Sequence, residues 1–431
     1  MSLFSFSKAP SIPEVIIYGF LLTYLSSLTS YAFAEQEYES VELIEGVTLD
    51  YEGAFRFSTE TWGDSRMSYA GGPFAITTNS KGLYIVSHSQ HQAIAEFAVP
   101  ELKTSKKASE LNFAIGLQSF TSILKNKKRL NNPQKLDRIS GMELIEGELF
   151  VNAVEYYDAP GDNNQTTFII RQPQNLKKSE VDGLFQLQGG AHAAGWISKI
   201  PKSVRNDFIG SYLLGYTNNY AINSRFSIGP SAYASNIDAF AGIPENKGLI
   251  PAHKLMDYSI KKPIHPDQYN EHKKNNIWTE VSYAAYGFIN PNGKYYIVVG
   301  NSGGHESSIG YKIKQNNGNM CGGPCARDAK DYYNYYWIFD VQDLLKAQDK
   351  KIAPHTIRPI KVGKLAIPFQ PRNNLRKIIG ADFDYNSNKL WMLIENVDYS
   401  QSEFETAPVM VIYKLSEASS LMTKTDNDVT R

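Results

Sequence analysis

The chain has 431 residues, and its 44 lysines and arginines balance 44 aspartates and glutamates. A neutral total excludes the strong basic field that is typical of nucleic-acid-binding proteins. Aromatic residues make up 12% of the chain, 27 of them tyrosines, and this composition favours β-strands. Two cysteines cannot form a disulfide framework, so the hydrophobic core has to supply the stability.

The first 34 residues differ from everything downstream. Lys8 precedes an apolar stretch from Val15 to Leu25, and small residues then lead to Ala32-Phe33-Ala34. A basic start, a short apolar core and an A-x-A-type end predict a secretory signal peptide over residues 1–34. The apolar stretch is about half the roughly 20 residues that a membrane span needs. We therefore expect a secreted or periplasmic protein without a membrane span.

A short pattern recurs along the rest of the chain: an alternating apolar strand followed by a turn that contains proline or aspartate. Its clearest copy is residues 336–344, and the others are residues 94–102, 168–176, 196–201, 231–234 and 409–415. Several copies follow a predicted β-hairpin; these hairpins span residues 74–87, 142–151, 285–299 and 380–393. A hairpin followed by a further strand, repeated along the chain, is the strand order of a β-propeller blade.

The repeats predict an all-β protein in which residues 35–431 form one β-propeller domain of five to seven blades, with seven favoured. Residues 41–57 are expected to complete the last blade, because ring closure removes exposed strand edges. Residues 300–335 and 242–274 interrupt the repeats as long loops, and residues 341–346 are the best candidate for a helix. Two β-sandwich-like domains are the alternative fold.

Several familiar catalytic motifs are absent from the sequence. It contains no H-E-x-x-H, no phosphate-binding glycine loop, no dinucleotide-binding fingerprint and no Gly-x-Ser-x-Gly. We therefore expect no organic cofactor.

Two segments are candidates for a metal ion. Cys321 and Cys325 flank a Gly-Gly-Pro turn, and His305 lies shortly before them. A disulfide is the default for two such cysteines in an exported protein, and a structural zinc held by these three residues and a fourth ligand is the alternative. Residues 158–164 are rich in oxygen ligands and are either a calcium site or a solvated hairpin tip.

Two histidines near predicted strand ends are candidates for proton transfer, a role that suits histidine near neutral pH. They are His88 and His192, and for each the alternative is an ordinary hydrogen-bonded residue. Arg225 precedes a Ser-x-Gly-Pro turn and would present a planar fork to a carboxylate, unless it only binds a neighbouring loop. The tyrosines just upstream of it are Tyr212, Tyr216 and Tyr220.

Several stretches resemble secreted β-propeller proteins of marine and environmental bacteria. They are residues 69–73 leading to His88, 155–159, 224–230 and 336–345. More distantly, the whole chain resembles the β-propeller polysaccharide lyases that cleave ulvan, a sulfated algal polysaccharide. This resemblance implies an anionic polysaccharide as the partner, a cleft that uses histidine, tyrosine and arginine, and a structural metal in some members.

The expected activity is β-elimination of a uronate-containing polysaccharide. Arg225 would neutralise the uronate carboxylate, His88 or His192 would be the base, and one of the three tyrosines would be the acid. A non-catalytic propeller that binds glycan or protein is the alternative. A hydrolase would need two carboxylates that face each other across a cleft, and the sequence contains no obvious pair. We expect a monomer.

Overall fold

The strands are arranged as five sheets around a central axis in the computed structural model, which describes residues 38–158, 160–217, 227–243, 248–370 and 375–418. Each sheet is one propeller blade, numbered here along the chain. The all-β propeller predicted from the sequence is confirmed, and its five blades lie at the lower end of the predicted range, below the favoured seven. Among the described residues, no helix is long and apolar enough to cross a membrane.

Within each blade the strands are named in order from the inner edge of the sheet to its outer edge. Blade 1 contains β3 (Phe74–Ile76), β4 (Gly82–Val86), β5 (Ala93–Ala98) and β6 (Ile115–Ser122). Blade 2 contains β7 (Arg138–Ile145), β8 (Glu148–Val154), β9 (Gln165–Ile170) and β10 (Val181–Leu187), with β14 (Leu249–Ile250) parallel to β10. Blade 3 contains β11 (Trp196–Lys199), β12 (Tyr212–Gly215), β13 (Ala232–Ser235) and β15 (His253–Met256). Blade 4 contains β16 (Tyr283–Ile289), β17 (Tyr295–Gly303), β20 (Tyr332–Asp340) and β21 (Lys361–Lys364).

Blade 5 joins the two ends of the described chain. It contains β22 (Ile378–Asp384), β23 (Lys389–Asp398) and β24 (Ala407–Glu417), followed outwards by β2 (Val47–Arg56) and β1 (Ser40–Ile44). Strand β2 pairs antiparallel with β24 over its whole length. The prediction that the N-terminal strands complete the last blade is therefore confirmed.

The recurring sequence pattern marks the third strand of the blades. Five of its six copies fall on third strands: β5, β9, β13, β20 and β24. The copy at residues 196–201 instead begins the inner strand β11 of blade 3. A buried inner strand and a buried third strand are both short apolar runs, so the pattern does not distinguish them.

The connections between strands include one α-helix and several short 3-10 turns. Helix α1 (Val341–Gln348) is capped at its N-terminus by Asp340, whose side chain accepts a hydrogen bond from the Gln342 backbone N–H. This helix confirms the one predicted from the sequence. The insertion in blade 4 contains a hairpin of β18 (Ile309–Tyr311) and β19 (Pro324–Ala326). The other predicted long loop is partly wrong, because it contains β14 and β15. The described 3-10 turns are Ala108–Glu110, Pro173–Asn175, Gly190–His192, Arg205–Asp207, Ile237–Phe240 and Pro354–Thr356.

Polar side chains fasten four of the blades to the inner strand of the next blade. Gln92 lies just before the third strand of its blade, and the other three lie on or just beyond a second strand. All four are buried, so each hydrogen bond satisfies a backbone group that water cannot reach. Gln92 Oε1 accepts a hydrogen bond from Ile139 N (2.6 Å), and Asn152 Nδ2 donates one to Gly195 O (2.9 Å). Thr217 Oγ1 accepts from Ala284 N (2.8 Å), and Asn301 Nδ2 donates to Ile378 O (2.9 Å).

The inner strands approach each other closely at the centre of the ring. A Cβ atom on Gly141 would lie 1.9 Å from the Gly195 oxygen, and one on Gly380 would lie 2.0 Å from the Gly72 oxygen. The central cavity has a volume of about 20 Å³, which is room for about one water molecule. The centre of the ring is therefore too narrow to admit a sugar ring.

The propeller presents two different faces. The inner strand of each blade begins at the face that we call the loop face, which carries the connections between blades and the loops after the second strands. The opposite face, which we call the hairpin face, carries the turns that follow the inner strands.

Candidate active site

The predicted site residues do not all lie together. His88, His192 and Tyr216 lie on or just after strand ends at the loop face, in blades 1 and 3. Tyr212 pairs with Lys199 at the opposite end of β12, near the hairpin face, so it is not part of the same group. Tyr220 and Arg225 lie outside the described residues.

His192 forms a hydrogen-bonded pair with a carboxylate that the sequence reasoning missed. Its Nδ1 donates to Asp257 Oδ1 at 2.6 Å, and the side chain of His192 is 24% exposed whereas that of Asp257 is 8% exposed. The donation from Nδ1 selects the tautomer whose basic lone pair is on Nε2. A histidine oriented by a carboxylate in this way is suited to accept a proton from a substrate.

Two further groups contact the Asp257 carboxylate. Lys254 Nζ lies 2.7 Å from its Oδ2, and the buried Tyr233 hydroxyl also hydrogen-bonds to it. Burial alone would raise the pKa of Asp257, but the hydrogen bonds and charges of His192 and Lys254 outweigh burial and lower this pKa to about 2. Burial and the neighbouring carboxylate raise the pKa of Tyr233 well above its ordinary value. Asp257 is therefore ionised near neutral pH and holds His192 by a charge-assisted hydrogen bond.

Ser231 links His192 to Tyr216. Its Oγ lies 2.7 Å from the backbone oxygen of His192 and 3.1 Å from that of Tyr216, and it accepts a hydrogen bond from the Tyr216 N–H at 2.8 Å. The side chain that fixes the turn at His192 thus also fixes the start of the loop after β12. Of the two predicted tyrosines that the structure describes, Tyr216 is the one associated with His192.

His88 belongs to a separate group on blade 1. Its ring stacks on His91 with centroids 4.7 Å apart, and its Nδ1 accepts a hydrogen bond from Gln90 N at 3.1 Å. Burial, followed by the charges of His91 and Arg66, lowers the pKa of His88. A lowered pKa keeps the ring neutral near pH 7, but the structure gives His88 no orienting carboxylate like the one on His192.

Cys321 and Cys325 form a disulfide, which confirms the default expectation for this segment. The alternative, a zinc ion held by these cysteines and His305, does not occur in this structure, because all three side chains have other partners. The Nδ1 of His305 donates to the Asn275 oxygen at 2.9 Å, and its Nε2 accepts from Ser302 Oγ at 2.6 Å. Burial lowers the pKa of His305. No nitrogen lone pair of this ring is left for a metal ion.

The predicted calcium loop is organised by hydrogen bonds to one buried carboxylate. Asp158 accepts from the backbone N–H groups of Gly161, Asp162 and Asn163 at 2.9 to 3.3 Å. In the part of the chain that the structure describes, no group of three or more histidine, cysteine, aspartate or glutamate side chains is arranged to hold a metal ion. A calcium ion here stays a prediction from the sequence.

Exposed aromatic side chains are a feature of the loop face that the sequence reasoning left unassigned. They are Tyr69 (44% exposed), Tyr156 (37%), Tyr157 (56%), Tyr399 (52%) and Phe404 (84%). Guanidinium groups lie over two of these rings: Arg138 is 5.1 Å from the centroid of Tyr156, and Arg376 is 4.8 Å from that of Tyr399. Exposed aromatic rings beside cations are suited to stack against sugars and to bind their anionic groups.

A second unexpected group is a pair of carboxyls in the centre of the ring. Glu143 on β7 and Asp382 on β22 interact electrostatically although blades 2 and 5 are not neighbours, so they face each other across the axis. Burial raises the pKa of Asp382 to about 7, and burial together with the charge of Asp382 raises that of Glu143 well above its ordinary value. At neutral pH the pair therefore retains a proton.

No protein-family model matches the chain, and no curated protein matches it in sequence. Several solved structures are similar to it over most of its length, at low identity. One is a glycosyl hydrolase from Bacteroides ovatus, with 10% identity and a TM-score of 0.41 over 87% of this chain and 97% of that one. Another is described with the mannoside phosphorylase family that contains hydrolases of β-1,2-mannosidic linkages in Candida mannan, with 9% identity and a TM-score of 0.36 over 84% and 94%.

A third similar structure is an aldose sugar dehydrogenase from Streptomyces coelicolor, with 9% identity and a TM-score of 0.31 over 87% of this chain and 100% of that one. These three structures are described with different activities, and none of the three is described as an ulvan lyase. A fold alone does not choose among activities. The function has to be argued from the residues of this chain.

Proposed function

We propose that the protein is a polysaccharide lyase that cleaves a uronate-containing polysaccharide on its loop face by β-elimination. The observation that carries the proposal is the His192–Asp257 pair, because it combines a partly exposed imidazole with a buried carboxylate that orients it. Exposed aromatic rings on the same face support a sugar ligand. The narrow centre of the ring supports binding across the face rather than in the channel.

In the proposed reaction, Nε2 of His192 takes the proton from the ring carbon that bears the uronate carboxylate. The electrons of that C–H bond form a carbon–carbon double bond, and the bond from the neighbouring carbon to the glycosidic oxygen breaks. The leaving oxygen then takes a proton from an acid. Tyr216 is our candidate for this acid, because Ser231 links its backbone to that of His192.

The substrate carboxylate has to be neutralised before its neighbouring proton can leave. The sequence assigns this role to Arg225, and that assignment stays a prediction. Asp257 stabilises the imidazolium that forms on proton transfer, since its carboxylate is already ionised and hydrogen-bonded to Nδ1. We also propose an exported protein, which agrees with the disulfide, and mass spectrometry of secreted protein should find an N-terminus near Glu35.

The test is incubation of the purified protein with a panel of uronate polysaccharides, with ultraviolet detection of the unsaturated product. We expect His192→Ala to lower the rate by on the order of 10²–10⁴, the usual contribution of a general base. The matched control is His88→Ala, which removes a histidine from the same face and should retain most of the activity. An active His192→Ala variant, or loss of activity in His88→Ala alone, would contradict the assignment of the base.

A non-catalytic glycan-binding propeller is the second candidate, and the exposed aromatic rings of the loop face are the observation that favours it. Such a module needs no aligned base. If the protein retains uronate polysaccharides in a binding assay but releases no unsaturated ends from any of them, the binding module replaces the lyase.

A further inference from the structure

Tyr399 is an exposed ring on a firmly held turn in the loop after the second strand of blade 5. Half of its surface is exposed, whereas the preceding Asp398 is fully buried. The Asp398 carboxylate accepts hydrogen bonds from Ser400 N at 2.9 Å and Gln401 Nε2 at 2.7 Å, and it pairs with Arg56 at 3.2 Å. These bonds fix the backbone on both sides of Tyr399, so its ring is presented without a large loss of conformational freedom on binding.

Arg376 is held in place just before the inner strand of the same blade. Its backbone N–H donates to Gln370 Oε1 at 2.9 Å, and its backbone oxygen accepts from Gln370 Nε2 and Asn334 Nδ2, both at 2.9 Å. Its guanidinium carbon lies 4.8 Å from the centre of the Tyr399 ring. The cation and the ring are thus brought together by two separately fixed segments.

The charge of Arg376 is not neutralised by an ion pair within the described residues, and this distinguishes it from Arg138 and Lys364, two other cations that lie over rings on the loop face. Arg138 lies over Tyr156 but pairs with Asp137 at 3.3 Å. Lys364 lies over Tyr333 but pairs with Glu306 at 3.0 Å.

Arg376 interacts electrostatically with Glu395, a carboxyl that burial makes less acidic. Burial raises the pKa of Glu395, and the charges of Lys377 and Arg376 offset only part of that rise. Lys377 adds a second exposed positive charge next to Arg376. The guanidinium beside Tyr399 thus keeps its charge, which favours an anionic ligand at this ring.

We propose that Arg376 and Tyr399 form a subsite for an acidic sugar, that is, a pyranose that carries a carboxylate or a sulfate. The exposed part of the Tyr399 ring packs against the apolar face of the sugar, and the guanidinium binds the anionic group with a charge-assisted, bidentate hydrogen bond. The ligand class, an acidic sugar, rests on the proposed function. The subsite adds to that function the residues that would select a negatively charged sugar over a neutral one. Phe404 and Tyr69 extend the aromatic surface beyond it, since the Tyr69 hydroxyl donates to the Phe404 oxygen at 2.8 Å.

The experiment measures equilibrium binding of the full chain at low ionic strength to three polymers: polygalacturonate, dextran sulfate and neutral dextran. We expect Arg376→Gln to weaken binding of the anionic polymers by about tenfold to a hundredfold, as for the loss of one hydrogen bond to a charged group. Arg376→Lys should recover only part of the affinity, because an ammonium lacks the planar fork. The polymer that loses more affinity identifies the carboxylate or the sulfate as the ligand.

The tyrosine is tested separately. Tyr399→Ala should weaken binding of the preferred polymer by about tenfold, whereas Tyr399→Phe should keep it because the ring remains. Arg358→Gln is the matched control, since it removes an exposed arginine that lies over the buried Tyr258 ring and donates to the His355 and Ile357 carbonyls. Unchanged affinity in Arg376→Gln, or an equal loss in Arg358→Gln, would overturn the subsite.

The experiments can contradict the subsite proposal and the lyase proposal independently of each other. If the protein binds polygalacturonate through Arg376 but never cleaves a polymer, the subsite stands and the lyase is wrong. If the protein cleaves a polymer while Arg376→Gln changes neither binding nor cleavage, the lyase stands and the subsite is wrong.

Discussion

The hydroxyl of Tyr286 donates a hydrogen bond to Asp382 Oδ1 at 3.0 Å, and the backbone N–H of Ile76 donates to Oδ2 at 2.9 Å. These two bonds connect the inner strands of blades 4, 5 and 1 at one carboxyl. They favour the ionised form of Asp382, yet burial dominates and its pKa rises from 3.8 to about 7. The centre of the ring is thus built around a carboxyl that is only partly ionised at neutral pH.

The first prediction concerns stability against pH. Because the folded pKa of Asp382 is raised, its ionisation costs nothing below its unfolded pKa of about 4, and it destabilises the fold progressively as pH rises from about 4 to about 7. Glu143→Gln removes the facing carboxyl and should raise the free energy of unfolding at about pH 8 by roughly 2 kcal/mol, with little change at about pH 4. Chemical denaturation at both pH values measures this difference.

Its control is Glu146→Gln in the exposed turn that follows β7, which should leave stability unchanged at either pH. A stability that does not depend on pH in this range, with or without Glu143, would show that the two carboxyls do not share a proton.

The second prediction concerns Asp257. Its pKa is lowered to about 2, so the stability from its contacts with His192 and Lys254 is present above its unfolded pKa of about 4 and is lost as pH falls towards 2. Asp257→Asn should remove this contribution and, if the protein is a lyase, should lower the cleavage rate by less than His192→Ala does. Acid unfolding and the cleavage assay provide the two readouts.

Asp162→Asn, at an exposed position of the loop after β8, is the control for Asp257. The oriented-base assignment is untenable if Asp257→Asn cleaves at the wild-type rate while it shows the expected loss of acid stability.

The third prediction concerns the disulfide. Cys321 and Cys325 are four residues apart and close a very short loop, for which chain entropy predicts a stabilisation of about 2 kcal/mol. Cys321→Ser with Cys325→Ser should therefore lower the unfolding temperature slightly and leave the propeller intact. Thiol titration of the native protein should find no free thiol, and one or two titrating thiols would contradict the bond.

The fourth prediction is carried by the sequence alone. Arg225→Ala should lower cleavage of a uronate polymer by on the order of a hundredfold to a thousandfold, because an un-neutralised carboxylate leaves the adjacent carbanion without stabilisation. Circular dichroism should show an unchanged fold. A variant that folds normally and cleaves near the wild-type rate would remove Arg225 from the site.

Most of the fold could be predicted because blades are local. The four predicted hairpins became the first two strands of blades 1, 2, 4 and 5, since their partners lie next to each other in the chain. Blade 3 was the exception. Its first two strands are only four residues each, and the long connection between them carries no turn signal that joins residues 196–199 to 212–215.

The candidate site could be predicted only in part, because its contacts are distant in the chain. His192 was identified from its position, but Asp257 lies 65 residues later and enters the site only through the path of blade 3. Glu143 and Asp382 meet only when the ring closes. The Arg376–Tyr399 pair joins two loops of blade 5, and the sequence around either residue gives no indication of the other.

The closure of blade 5 has a consequence for the order in which the protein folds. Asp50 on β2 and Ser416 on β24 share a hydrogen bond across 366 residues of chain, so β2 can pair with β1 early but has no partner on its other edge until β24 exists. Apart from the parallel pairing of β14 with β10 in blade 2, the strand pairings of blades 1 to 4 join strands that follow each other closely in the chain and can form as synthesis proceeds. We therefore expect the docking of the two ends to be the slow step. Until then β2 is an unpaired edge, which makes aggregation through this strand the principal hazard of an incomplete chain.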